Sequence, residues 1–349
     1  MTPWLKSLTE GIQPPDQTFA AKARARQVEL VKPPGSLGRL ETLATQLAAI
    51  QRTEQPQVRP RAIVVFCADH GVCAEGVSAF PSRITHQHLR NFIGGRAAVA
   101  VLAEMTQSEL VVCDVGVDAD VSGLPGVRHR KVRRGARNFA VEPALTPAEV
   151  EQAVRVGFET ISELAERGIR AVAVGEMGIG NTTAAAAVTA ALTGQPPEAV
   201  TGAGSGLAPE GLARKIAVVR QALEQRQPRA AEPLDILAKV GGLDVAAMCG
   251  AYLGCAACGC VAVVDGFVST AAAALSVACA PVAREYMVFG HRSTEPGHQV
   301  LLSFLEATPL LHLDMRLGEA SGAALALTIL EAACRLHGNM ATFREAQME

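Results

Sequence analysis

The chain predicts an α/β fold: a Rossmann-like parallel sheet with helices on both faces, plus a small helical lobe built from the N- and C-terminal segments. Three observations point there. Short apolar runs at 62–68 (AIVVFCA), 110–115 (LVVCDV), 170–175 (RAVAVG), 261–265 (VAVVD) and 285–289 (EYMVF) alternate with helical stretches. Continuous rather than alternating apolarity is what a strand covered on both faces requires. Most of these runs end in acid, histidine or glycine: Asp69-His70-Gly71, Asp114-Val115-Gly116, Gly175-Glu176, Asp265-Gly266 and Gly290-His291. Ligands of parallel sheets bind outside the carboxyl ends of the strands, so these residues face one rim. The two ends of the chain behave differently. Residues 1–58 are polar and helix-rich, interrupted by Lys32-Pro33-Pro34-Gly35-Ser36-Leu37-Gly38, a turn that cannot sit inside a helix. Leu40, Leu43, Leu47 and Ile50 then recur at helical spacing, as do Ala323, Leu327, Leu330 and Cys334 near the C-terminus. The expected division is a large α/β domain over 60–300 carrying the main site, and a small helical domain from 1–59 and 301–349 that supplies a glutamate loop.

Composition narrows the partner. Lys and Arg number 32 against 34 Asp and Glu, with one Trp and two Tyr, so a nucleic-acid surface built on positive charge and stacking is excluded. A small molecule is the expected partner. The opening MTPWLKSLTEGIQPPDQ has no basic segment followed by an apolar one, and no uninterrupted 18-residue apolar stretch occurs, so no membrane partner and a cytoplasmic location are expected. Of nine cysteines, Cys67, Cys113, Cys279 and Cys334 lie in apolar runs and read as buried thiols. Cys255, Cys258 and Cys260 lack the second ligand pair that a zinc site needs, and read as packing.

Five motifs carry chemistry or mimic it. Gly175-Glu-Met-Gly-Ile-Gly-Asn-Thr-Thr183 joins an apolar run to an alanine-rich helix, and a strand, glycine turn and helix start in that order present backbone amides to an anion. A carboxylate, Glu176, inside such a loop points to chemistry or to a cationic ligand. A second glycine-rich turn, Thr201-Gly-Ala-Gly-Ser-Gly206, precedes Lys215, which reads either as a solvated helix residue or as a phosphate partner. Asp114, Asp118 and Asp120 imitate a calcium loop, but Ala119 and Pro125 stand where glycine and a bidentate glutamate are required. Asp69-His70 reads as a hydrogen-bonded turn rather than a metal pair. In Arg316-Leu-Gly-Glu-Ala-Ser-Gly322, small residues around Glu319 allow a ligand to approach closely, whereas the plain alternative is a carboxylate offsetting a helix dipole.

Together, KPPGSLGRLE (32–41), CADHGV and EGV within 67–77, DVGVDA (114–119), GEMGIGNTT (175–183), KVGGLDVAAM (239–248), DGFVSTAAAL (265–275) and RLGEASGAALAL (316–327) resemble, in order, the nicotinate-nucleotide:dimethylbenzimidazole phosphoribosyltransferase family. The resemblance implies transfer of phosphoribose from nicotinate mononucleotide to a benzimidazole, with no cofactor, no metal, and a homodimer. It implies Glu319 as general base and Glu176 as a second catalytic carboxylate. It also implies substrate binding by Lys215, Gly178, Gly180, Asn181, Gly204, Gly206, Ser293, Leu317 and Gly318. Residues 75–92 correspond to the wall of the base pocket, where Phe80, Gln87 and His88 make a bulkier, more aromatic surface than the family's serine and glutamine. Two rivals remain at this stage. A nicotinamide-dependent oxidoreductase would need GxGxxG after the first strand, which instead ends in ADHG. A non-catalytic azole- or nucleotide-binding homologue would not need Glu319.

Overall fold

The computed structural model describes residues 2–348. Six strands form one all-parallel sheet in the order β3-β2-β1-β4-β5-β6: β1 Arg61–Ala68, β2 Glu109–Gly116, β3 Val127–His129, β4 Ala171–Met177, β5 Val261–Val264 and β6 Met287–Phe289. The order reverses between β1 and β4, which makes their carboxyl ends the place where diverging connections open a crevice. Every residue of β1 is buried, in keeping with an interior strand packed on both faces.

Two expectations need correction. The run at 285–289 is strand only over Met287–Phe289, because Pro281–Tyr286 folds as a 3-10 turn. The edge strand β3 is absent from the sequence reading; within it only Val127 is buried, and its neighbours are arginines and a lysine.

Helices Pro3–Gly11, Gln17–Glu29 and Arg39–Gln51 occupy the N-terminal stretch. The Pro-Pro-Gly turn separates the second and third of these. It is tied by Lys32 Nζ to Glu41 Oε1 at 2.8 Å, and Glu41 Oε1 also accepts the Leu37 amide. Helix Ser321–Asn339 buries Ala323, Leu327, Leu330 and Cys334, packing against helix Arg39–Gln51 and against β4 and β5. Arg26 donates to the His337 and Gly338 carbonyls at the end of that helix, so the two ends of the chain are joined. No helix among the described residues is long and apolar enough to cross a membrane.

The helix that carries Asp244, Leu243–Ala257, lies against helix Pro147–Glu166 at backbone contact. A methyl group on Gly250 would land on the Val154 carbonyl, and one on Gly157 on the Ala247 carbonyl. Gly250→Ala is therefore expected to cost about 1–3 kcal/mol through overpacking. Gly11→Ala, where nothing lies within 4 Å, serves as the control. Urea unfolding checks this: the midpoint should fall in the first variant with the slope unchanged, and an unshifted midpoint would refute the packing argument. Cys255 and Cys260, at either end of the turn between this helix and β5, are buried free thiols, and burial pushes Cys260 up to about 12.

Candidate active site

β4 runs into Glu176, turns through Gly178 and Gly180, and enters helix Asn181–Thr193. Gly180 has φ +95°, a conformation that favours glycine, and it caps the helix with no side chain, while the Asn181 and Thr183 amides bond back to the Gly178 and Gly180 carbonyls. That helix start lines a cleft of about 130 Å³ together with Glu176, Gly178, Gly204, Asp265, His291, Ser293 and the 316–318 loop.

Lys215 lies under the two glycine loops, fully buried. Its Nζ donates to Thr182 Oγ1 at 2.8 Å and to the Gly202 carbonyl at 3.1 Å. Burial lowers its pKa to about 8, against the opposing pull of Glu295. The solvated-residue reading of Lys215 is thereby overturned. Arg316 brings a second cation, with its guanidinium donating to the Gly204 carbonyl at 2.8 Å. This corner of the cleft suits an anion.

Buried carboxylates line the same cleft. Glu176 accepts a hydrogen bond from Asn181 Nδ2, which also reaches Asp244 Oδ2 at 3.4 Å. Burial, then the charges of Asp244, Asp265 and Glu319, hold the Glu176 carboxyl well above the usual range. His70 Nε2 stands 3.0 Å from Asp244 Oδ1, and His291 Nε2 stands 3.6 Å from Asp265 Oδ1. Such a wall disfavours added negative charge and favours a cation or hydroxyl donors.

Glu319 sits in a strained turn: Gly318 at φ +88°, then Glu319 and Ala320 both at +61°. Non-glycine residues in this region cost on the order of 1–3 kcal/mol each and persist where packing enforces them. Ala320 is fully buried, and the β4 backbone at Gly175 lies so close that a methyl group there would strike it. Gly318 is required for a related reason, because a side chain there would collide with Glu176 Oε1. Glu319 Oε1 lies 2.6 Å from His88 Nε2, while its Oε2 is buried with no hydrogen-bond partner among the described residues.

Of the residues expected at the site, Glu176, Gly178, Gly180, Asn181, Gly204, Ser293, Leu317 and Gly318 line this one cleft. Glu319 follows directly behind Gly318, and Lys215 lies beneath the loops. Gly204 donates its amide to Glu295 Oε1 at 2.9 Å. Gly206 lies outside the cleft lining, and its amide bonds to the Ala203 carbonyl. Phe80 is half exposed in an adjoining cavity with Asp69, His70 and Arg134. Gln87 is exposed on helix Arg83–Ile93. Asp69 accepts the Asp118 amide at 2.8 Å, which supports the turn reading. The sequence reading gave no role to Asp244, Asp265, His291, Glu295 or Arg316. Asp265 and His291 had a signal, as polar residues at strand carboxyl ends, and Arg316 stood next to a recognised motif.

Known proteins place the chain in a family. A family profile described as Phosphoribosyltransferase matches residues 12–348. The nicotinate-nucleotide–dimethylbenzimidazole phosphoribosyltransferase of Pseudomonas putida is 48% identical over 338 residues, 97% of this chain and 96% of its own length. The protein of the same name from Xanthomonas campestris is 50% identical over 332 residues, 95% of each chain. The crystal structure of CobT from Thermus thermophilus superposes with a TM-score of 0.91 at 46% identity, covering 95% of this chain and 99% of that one. With nearly full-length identity near one half and the same fold, the chain belongs to the nicotinate-nucleotide–dimethylbenzimidazole phosphoribosyltransferase family.

Proposed function

We infer that this enzyme transfers phosphoribose from nicotinate mononucleotide to 5,6-dimethylbenzimidazole or a related azole, giving α-ribazole 5′-phosphate and nicotinate for the nucleotide loop of cobalamin. The observation that carries the reading is a cleft holding both signs of charge: Lys215 and Arg316 at the glycine loops, the buried carboxylates of Glu176 and Asp265 along the wall, and an unpartnered carboxylate oxygen on Glu319 beside them. Nicotinate mononucleotide has the matching polarity, with an anionic phosphate and a positively charged pyridinium joined through ribose.

In this reading the phosphate sits over Gly178, Gly180 and Asn181 with Lys215 below, Ser293 and Gly204 close the far side, and Gly206 shapes the second loop. One nitrogen of the azole attacks C1′. The bond from C1′ to the pyridinium nitrogen breaks, its electron pair neutralises the ring, and nicotinate leaves. The proton on the other azole nitrogen passes to Glu319. Glu176, crowded by acids in the empty cleft, ionises more readily once a positive ring or a developing oxocarbenium ion is beside it, which places negative charge where the transition state needs it. Leu317, more than half exposed at the cleft mouth, offers the azole an apolar contact. Phe80, just before helix Arg83–Ile93, and Gln87 on that helix form one side of the base pocket, with His88 behind Glu319 rather than against the azole. The working unit is a cytoplasmic homodimer.

Incubating the purified protein with nicotinate mononucleotide and a panel of benzimidazoles, purines and phenols tests the reading by mass. Stoichiometric nicotinate and a ribosylated azole phosphate are expected, and no nicotinate release with any base would overturn it. Phe80→Ser is expected to change the ratio of kcat/KM between dimethylbenzimidazole and unsubstituted benzimidazole, within the about 1–3 kcal/mol that a methyl contact supplies. An unchanged ratio would remove Phe80 from the base wall.

A further inference from the structure

We propose that His88 is a positioning residue for Glu319: it holds one carboxylate oxygen so that the other is presented to the N–H of the azole. The proposal rests on the reading of Glu319 as the general base.

Asn91, three residues along the same helix, has its side-chain nitrogen 3.3 Å from His88 Nδ1. An amide nitrogen only donates, so Nδ1 accepts and the ring proton resides on Nε2. Nε2 therefore donates to Glu319 Oε1 at 2.6 Å, a short, charge-assisted bond. Phe92 meets the imidazole edge-on, with ring centroids 4.7 Å apart at 76°, which fixes the plane of the ring. The His88 side chain is 23% exposed and that of Glu319 only 6%.

Oε2 of the same carboxylate is buried and unpartnered. A buried oxygen without a donor is costly unless a ligand supplies one. The azole N–H is such a donor. A carboxylate on three side-chain torsions, in a backbone turn held at positive φ, would rotate about its last bond without a second anchor, and His88 provides it. In catalysis a misplacement of about 1 Å costs on the order of 100-fold, so orientation of this group bears on turnover rather than on nucleotide binding.

The experiment is a double-mutant cycle read by steady-state kinetics on several azoles, with melting temperatures recorded. H88M removes the donor, H88Q keeps an N–H near the Nε2 position, and each is made with and without E319Q. H88M is expected to lower kcat about 10–100-fold on every azole with the KM for nicotinate mononucleotide unchanged. H88Q is expected to stay within about threefold of wild type. H88M in the E319Q background should cost no more than about a further twofold, since the residue acts only through Glu319. Losses from H88M and E319Q that multiply, an H88Q as impaired as H88M, or an H88M loss that varies with the substituents of the azole would overturn the proposal while leaving Glu319 as the base. An E319Q enzyme with near wild-type turnover would remove the base assignment itself, and the positioning role with it.

Discussion

Glu319→Gln is expected to lower kcat by about 10²–10⁴ while the KM for nicotinate mononucleotide changes little, as befits loss of general-base catalysis. Glutamine keeps the shape of the side chain and an oxygen that still accepts from His88, so the strained turn and its packing survive. What it loses is the ability to take a proton. In the proposed arrangement the phosphate of the nucleotide lies over the helix start and Lys215, so its binding should not depend on this carboxylate. Single-turnover measurements of nicotinate release, made across pH with nucleotide and azole saturating, separate the chemical step from product release. Turnover within a few-fold of wild type at every pH would show that another group, or water, takes the azole proton.

The strands that were legible in the sequence are those whose burial leaves no alternation. β1, β2 and β4 are almost wholly apolar because helices cover both faces. β3 was invisible because a three-residue edge strand beside a basic run has no apolar run to announce it. Glu176 and Glu319 stood out because glycine lies within two residues of each, a composition that makes sense only if something approaches the backbone closely. Asp244 did not, although Gly242 stands two residues before it, since it opens a helix of small apolar residues and its partner His70 is far away in sequence. The same limit hid the bond between His88 and Glu319, which are 231 residues apart, and that between Glu295 and Gly204, which are 91 apart. Spacing reveals what one element presents; it does not reveal which side chains two elements bring together. Lys215 shows the converse limit, because a lysine on an amphipathic helix reads equally as solvated or as an anion partner until two loops are seen to close over it.

Lys215→Met is expected to separate binding from stability. Removing a charged donor from the phosphate costs about 1.5–3 kcal/mol, so the KM for nicotinate mononucleotide should rise about 10–150-fold while that for the azole holds. Burial sets the pKa of Lys215 at about 8 in the folded protein against an ordinary 10.5, so the unfolded chain holds this proton more tightly. The folded state therefore bears the cost of a buried ammonium below pH 8, and that cost is relieved as pH rises from about 8 to 10.5. The shift of about 2.5 units corresponds to roughly 3 kcal/mol. Methionine fills the same space without the charge, giving up the bonds to Thr182 and Gly202 but also the desolvation cost. At pH 7 the variant should thus be at least as stable as wild type while binding nucleotide more weakly. In the wild type, kcat/KM for the nucleotide should fall above about pH 8, by up to tenfold per unit, as the ammonium loses its proton. The variant should show no such limb. An identical alkaline limb in both proteins, or a methionine variant whose nucleotide KM is unchanged, would place the phosphate away from Lys215.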